Sequence, residues 1–388
     1  MTGERLTRIL SILSLMAGCG FLLLNPLRLA FVANTLIPFL YFNLIVMLCC
    51  GVWFLCKVRS VNFRGVELVL CLLVLATALF TEYEGRRLVD VLTDLLRPLL
   101  FIAVVVVFRN FVCVERLNES IKIAKWLRLT MWVTVIVVPL SWGISRYVQP
   151  LYPAYASIDS VFGMAWLLGA GGFLAQVGYF ALLVASGKRG VYLAAFIVIL
   201  ICYKNKKLTL PTWFMVALAG VLAMAGFVLF IDDVQQFLLK GGTVTSNDGL
   251  EGLINILSGG RIEEFRGALA GMNSSLQFVF GAGLGFAYPV EGFGEEGLYH
   301  RNLHFTPASL AIYYGVPFLL VFLYYLATFF FAALRVVNSK PGVVVYCYSL
   351  YCLASMVFLF TEFSVFAYVN FAISCGVVAA ADKALKRL

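Results

Sequence analysis

Long apolar blocks separated by short polar interruptions recur from Ile9 to Leu385. A helix that crosses a bilayer needs about 20 mostly apolar residues. The blocks at 8–25, 33–56, 66–82, 98–114, 128–147, 158–186, 190–203, 209–230, 306–335, 342–360 and 363–382 are the spans this pattern predicts. No internal repeat, low-complexity linker or second domain interrupts the series, so residues 1–388 read as one transmembrane domain. The expected fold is therefore all-α, a polytopic transmembrane helical bundle. Ala17-Gly18-Cys19 faintly matches a lipoprotein cleavage signal, but Met16 stands where Leu is preferred, and an uncleaved first helix is expected.

The polar interruptions orient the bundle. Lys57, Arg59 and Arg64; Arg109, Arg116, Lys122, Lys125 and Arg128; Lys204, Lys206 and Lys207; Arg335 and Lys340; and Lys383, Lys386 and Arg387 belong on the cytoplasmic side under the positive-inside rule. The largest remaining connection, 231–303, carries nine acidic residues against four basic ones, which suits the translocated side. Parity then requires a turn inside 158–186. The glycines Gly169, Gly171 and Gly172 offer one, giving twelve spans in place of eleven. Irregular backbone at that depth has to be covered by protein or by a water-filled cavity.

Composition agrees with this reading. The 388 residues are 62% hydrophobic and 13% charged, with a mean hydropathy of +0.96, whereas a soluble domain is about 25% charged. A formal charge of +9 invites a nucleic-acid reading, but the cations lie in short loops between apolar runs and form no basic face, so no nucleic-acid partner is expected. Nearly all ten cysteines lie inside apolar runs, without CxxC spacing, and read as small hydrophobes.

Candidate chemistry concentrates in the outward loop. His300 and His304 are the chain's two histidines. Their spacing suits a metal pair, but the zinc-protease motif needs Glu after the first His and Arg301 stands there; no metal or other cofactor is expected. An imidazole with an ordinary pKa near ~6.5 instead suits a general base. The stretch from Ser258 to Ala270 reads as a helix start that puts Arg261 and Arg266 near exposed backbone N–H groups, a place that favours anions. Arginine's planar fork fits diphosphate, although residues five apart do not share a helix face. On a solvated face Arg266 would simply pair with Glu263. Arg189, flanked by apolar runs, is either a helix-end anchor or a cavity cation. Phe280-Gly281-Ala282-Gly283-Leu284-Gly285 looks like a phosphate loop but lacks the following Lys, so close backbone packing is expected there. Asp90, Asp94 and Arg97 share one helix face, as the lining of a polar cleft or as a solvated edge.

Three of these segments resemble the O-antigen polymerase and O-antigen ligase superfamily. They are Lys188-Arg189-Gly190 at a helix start; Gly260-Arg261 with Phe265 and then Phe280-Gly281-Ala282-Gly283; and His304 followed by Gly315 early in a span. The family often has Asn after its His, where Phe305 stands here, and Ser before the first Arg, where Lys188 stands. Before residue 150 only hydropathy is shared.

The resemblance implies a GT-C-like bundle with one large periplasmic loop in the bacterial inner membrane. It implies a metal-independent, inverting glycosyltransferase that uses an undecaprenyl-diphosphate-linked oligosaccharide as donor. Arg189, Arg261 and Arg266 would bind the diphosphate and His304 would deprotonate the acceptor. A polymerase would extend another lipid-linked repeat unit, and a chain-length regulator would join its partners. A ligase would transfer the glycan to lipid A–core. The compact loop favours the polymerase. A flippase for lipid-linked sugars is the alternative of another class, but the two similar halves common in transporters are missing.

Overall fold

The computed structural model describes residues 36–114, 194, 197, 200–201, 261–272, 274–289, 299–300, 303, 305–339, 341–357, 359, 366 and 368–387. These residues are helical in every element save one pair of two-residue strands. α1 (Leu36–Lys57) has no charge before Lys57 in its last turn, where a cation suits the negative end of the helix dipole. A 3-10 turn, Val58–Ser60, leads into α2 (Gly65–Phe80). Glu67 fixes the start of α2 by accepting the Arg64 backbone N–H at 2.9 Å.

α3 (Leu88–Phe111) begins well before the span expected at 98–114, because Asp90, Asp94 and Arg97 depress the hydropathy of its first turns. Pro98 lies within it and has no N–H to offer the Asp94 carbonyl. The Tyr314 hydroxyl donates to that carbonyl instead, at 2.7 Å, so the missing helical hydrogen bond is replaced from another element.

The span expected at 306–335 is two helices, α6 (Thr306–Tyr314) and α7 (Val316–Asn338), numbered after α4 (Arg261–Ala270) and α5 (Ser275–Phe280). The break falls at Gly315, whose φ of 87° suits glycine, and Pro317 in the first turn of α7 cannot return a hydrogen bond across it. A side chain at Gly315 would overlap the Val279 carbonyl, so the break also lets α5 approach the junction. α8 (Val343–Val357) falls within the expected 342–360, and α9 (Val369–Leu385) overlaps the expected 363–382 but starts six residues later. The spans expected at 8–25, 128–147, 158–186 and 209–230 lie outside the described residues, as does the Gly169–Gly172 turn. Of 190–203, residues 194, 197, 200 and 201 are described, and they are helical.

Two described helices, α3 and α7, are long and apolar enough to cross a membrane. At about 1.5 Å per residue their 24 and 23 residues reach roughly 36 and 35 Å. α3 is central: every residue from Leu100 to Arg109 is buried, between α1, α2 and α9. Gly376 lets α9 come close, since a Cβ there would stand 2.8 Å from the Val105 carbonyl oxygen. Phe318, Phe322, Phe366 and Phe101 form an aromatic core beside it.

The outer faces are inverted relative to a helix that faces water. On α2 the buried face holds Glu67, Leu70, Val74 and Thr77, while Leu68, Leu72, Leu75 and Leu79 are exposed, Leu79 to 84%. α1 repeats this with Ile45, Leu48, Val52 and Leu55, and α7 with Val316, Leu320, Tyr324 and Phe331.

Candidate functional site

Charge separates the two ends of the described helices. One end holds Lys57, Arg59, Arg64, Arg109, Arg335, Lys383, Lys386 and Arg387. Its acidic residues are taken up in ion pairs, Asp382 with Arg335 at 2.7 Å and Lys386 at 2.8 Å, and Glu67 with Arg109. Arg109, which sequence groups with the loop cations, is only 7% exposed. Its guanidinium spans both Glu67 carboxylate oxygens and donates to the Asn62 carbonyl at 2.6 Å, while the Tyr325 hydroxyl donates to Glu67 at 3.0 Å. A buried carboxylate needs such partners, and every one is supplied.

The other end holds Glu82, Glu84, Arg86, Arg87 and Asp90, together with α4, α5 and the start of α6. The glycine segment that imitates a phosphate loop lies here, buried, with φ values of 84°, 95° and 74° at Gly281, Gly283 and Gly285. Its amides are already engaged. Ala282 N–H donates to the Ile312 carbonyl at 2.6 Å, Leu284 N–H to Thr81 Oγ1 at 3.0 Å, and Gly285 N–H to Asp94 Oδ2 at 2.8 Å. Arg86 closes the segment from the far side, donating to the Leu284 and Ala282 carbonyls at 2.7 and 2.8 Å. A phosphate would therefore not find the Ala282, Leu284 and Gly285 amides free. The segment's glycines instead permit close packing against Tyr313, Thr81 and Val91. Partial burial pulls Arg86 below the usual arginine value, against the opposing pull of Glu82 and other nearby groups including Asp94; arginine stays charged regardless.

Asp94, which sequence offers as a cleft residue, is thus a fastener between α3 and the loop. Asp90 lies 3.7 Å from Arg87 on the same helix end. Arg86, Thr81 and Tyr314 escape a sequence reading altogether, because their partners are backbone groups about 200 residues away in the chain.

Beyond the glycines, β1 (Tyr288–Pro289) pairs antiparallel with β2 (Tyr299–His300), and Tyr288 stands opposite His300. α4 packs on β1 and also reaches α6, the helix that begins two residues after His304. Arg261 is the first residue of α4, as the capping pattern predicts, and Arg266 is exposed on the same helix with a partner of its own. At about 100° per residue the two are roughly 140° apart around the axis, so they do not act on one point from one face. Arg189 and His304 lie outside the described residues. The segments that bear Arg261, His300 and the start of α6 therefore meet at one end of the bundle. Among the described residues no three His, Cys, Asp or Glu side chains gather as a metal site.

Tyr288 is fully buried, and its hydroxyl has no hydrogen-bond partner. Burial raises its pKa well above the ordinary tyrosine value, and the Glu264 carboxylate on α4 raises it further, so the phenol stays protonated at neutral pH.

A scan against models of known protein families finds no match, and a search of curated proteins finds none either.

Proposed function

We propose that the chain is a polytopic inner-membrane protein that polymerises lipid-linked glycans on the periplasmic face. The membrane reading is supported by the inverted faces of α1, α2 and α7, which offer leucine outward and keep Glu67 and Thr77 inward. The orientation is supported by the gathering of cations at the end of the bundle away from α4 and β2.

The observation that carries the functional reading is the convergence of α4, opened by Arg261, on the strand pair with His300 and on α6 just after His304. A cation at a helix N-terminus and a neutral imidazole in one region suit a reaction that expels a diphosphate and removes a proton. In the proposed step the acceptor hydroxyl oxygen forms a bond to the donor's anomeric carbon, with inversion. The bond from that carbon to the diphosphate oxygen breaks, and undecaprenyl diphosphate leaves with its electron pair. His304 takes the hydroxyl proton, while Arg189 and Arg261 offset the charge that builds on the leaving group. Loss of one such charge-stabilising donor costs on the order of 3–4 kcal/mol of barrier, and general-base help is worth about 10²–10⁴-fold. Arg266, on another side of α4, would meet the diphosphate only from its flank.

The test uses a bacterium whose own copy of the gene is deleted. Re-expressed His304→Ala and Arg261→Ala should insert normally and leave single-repeat O-antigen on lipid A–core, whereas the unaltered chain restores long ladders. Normal ladders from both variants would remove these residues from the mechanism. The same gel separates the ligase, whose loss leaves no repeat on lipid A–core and polymer on the carrier lipid.

A further inference from the structure

Buried polar groups in folded proteins nearly always have hydrogen-bond partners, and one that lacks them calls for an explanation. The Tyr288 hydroxyl lacks one although its residue is 0% exposed, as do the Tyr351 and Ser355 hydroxyls on α8. The Phe286 carbonyl close by already accepts from the Tyr313 hydroxyl at 3.1 Å. Phenylalanine would fill the same space without the unmet donor, so packing alone does not account for tyrosine here.

Position supplies the account. Tyr288 stands opposite His300 in the strand pair, and α4, which packs on that strand, brings the Glu264 carboxylate near enough for its charge to act on the phenol. Phe265, the next residue on α4, is 39% exposed. A phenol that stays protonated donates, and a carboxylate accepts. Together they complement a vicinal pair of sugar hydroxyls, whose O–H groups both donate and accept. The carboxylate also repels a phosphate group, so this spot is unsuited to the donor's diphosphate.

We infer that Tyr288 and Glu264 form a subsite for an uncharged, hydroxyl-bearing sugar, the acceptor end of the glycan, beside the strand that bears His300; this rests on the function proposed above. The hydroxyl gains its partner when the sugar arrives. Because Tyr288 is 0% exposed, binding requires α4 to part from the strand pair.

The test needs no turnover. The full-length protein in lipid nanodiscs is titrated with the free repeat-unit oligosaccharide, lacking lipid and phosphate, released from the bacterium's own surface polysaccharide. Thermal unfolding is the readout. Unaltered protein should be stabilised by the sugar. Tyr288→Phe should unfold at the same or a higher temperature without sugar, and should need about tenfold more sugar for the same shift, the worth of one well-made hydrogen bond. Glu264→Gln should weaken the response in the same direction. The titration reads binding without turnover, so a failed catalytic reading of His304 leaves this result standing. Equal responses from unaltered protein and Tyr288→Phe, or no stabilisation of the unaltered protein, would overturn the inference. So would a lower unfolding temperature for sugar-free Tyr288→Phe, which would reveal a structural partner for the hydroxyl.

Discussion

Asp94 illustrates how single residues hold together the end of the bundle that carries α4. Its carbonyl, left open by Pro98, accepts from Tyr314, and its carboxylate accepts from Gly285. Tyr314→Phe would remove the donor to this part-buried carbonyl, at a cost of up to about 1–3 kcal/mol. That loss should appear as a lower unfolding midpoint in nanodiscs, and an unchanged midpoint would contradict it. The Glu67–Arg109 pair makes a sharper case, because removing one partner strands a charge. Arg109→Ala should destabilise by about 3–5 kcal/mol, whereas replacing Glu67 and Arg109 together by apolar residues should cost much less. A double variant as unstable as the single would show that the pair is not the source of the loss. Glu67 is readable from sequence as a lone acid within an apolar run that must find a partner. Its partner is not readable, because Arg109 sits among loop cations that hydropathy assigns to water.

At the scale of elements, length and hydropathy locate α1, α2 and α8 to within a few residues, since apolar run and helix coincide there, and place α9 with its start six residues early. They fail where local chemistry departs from hydropathy. The expected span starts too late in α3 because Asp90, Asp94 and Arg97 lower its hydropathy, although their spacing reads as one helix face, and the break between α6 and α7 is hidden because both flanks of Gly315 are apolar. The start of α4 is legible from its capping pattern. Its seat on β1 is not, because that contact joins residues with no shared periodicity. Gly315→Ala tests the break, since it combines a positive φ with a clash against the Val279 carbonyl. The expected result is poor accumulation or a loss of at least about 1–3 kcal/mol, the usual cost of such backbone strain. Full stability would mean that α6 and α7 can join without the junction.

For the molecule as a whole, the segregation of charge makes a topological claim. Impermeant maleimide applied to intact spheroplasts should label Glu84→Cys and spare Lys386→Cys until the membrane is opened. The reverse pattern would put α4, the strand pair and the proposed reaction on the cytoplasmic side. Hydropathy makes the helical character and the two long apolar helices α3 and α7 legible, because crossing a bilayer would demand such runs. The site is less legible because it is assembled from segments remote in sequence, each with residues as common as Gly, Arg and Tyr.

The most direct measurement is turnover by the purified chain in proteoliposomes given undecaprenyl-diphosphate-linked repeat unit alone. Carrier-linked chains of two or more repeats are expected together with free undecaprenyl diphosphate, with a loss of both of about 10²-fold or more in His304→Ala. Equal product from His304→Ala and unaltered protein would contradict it.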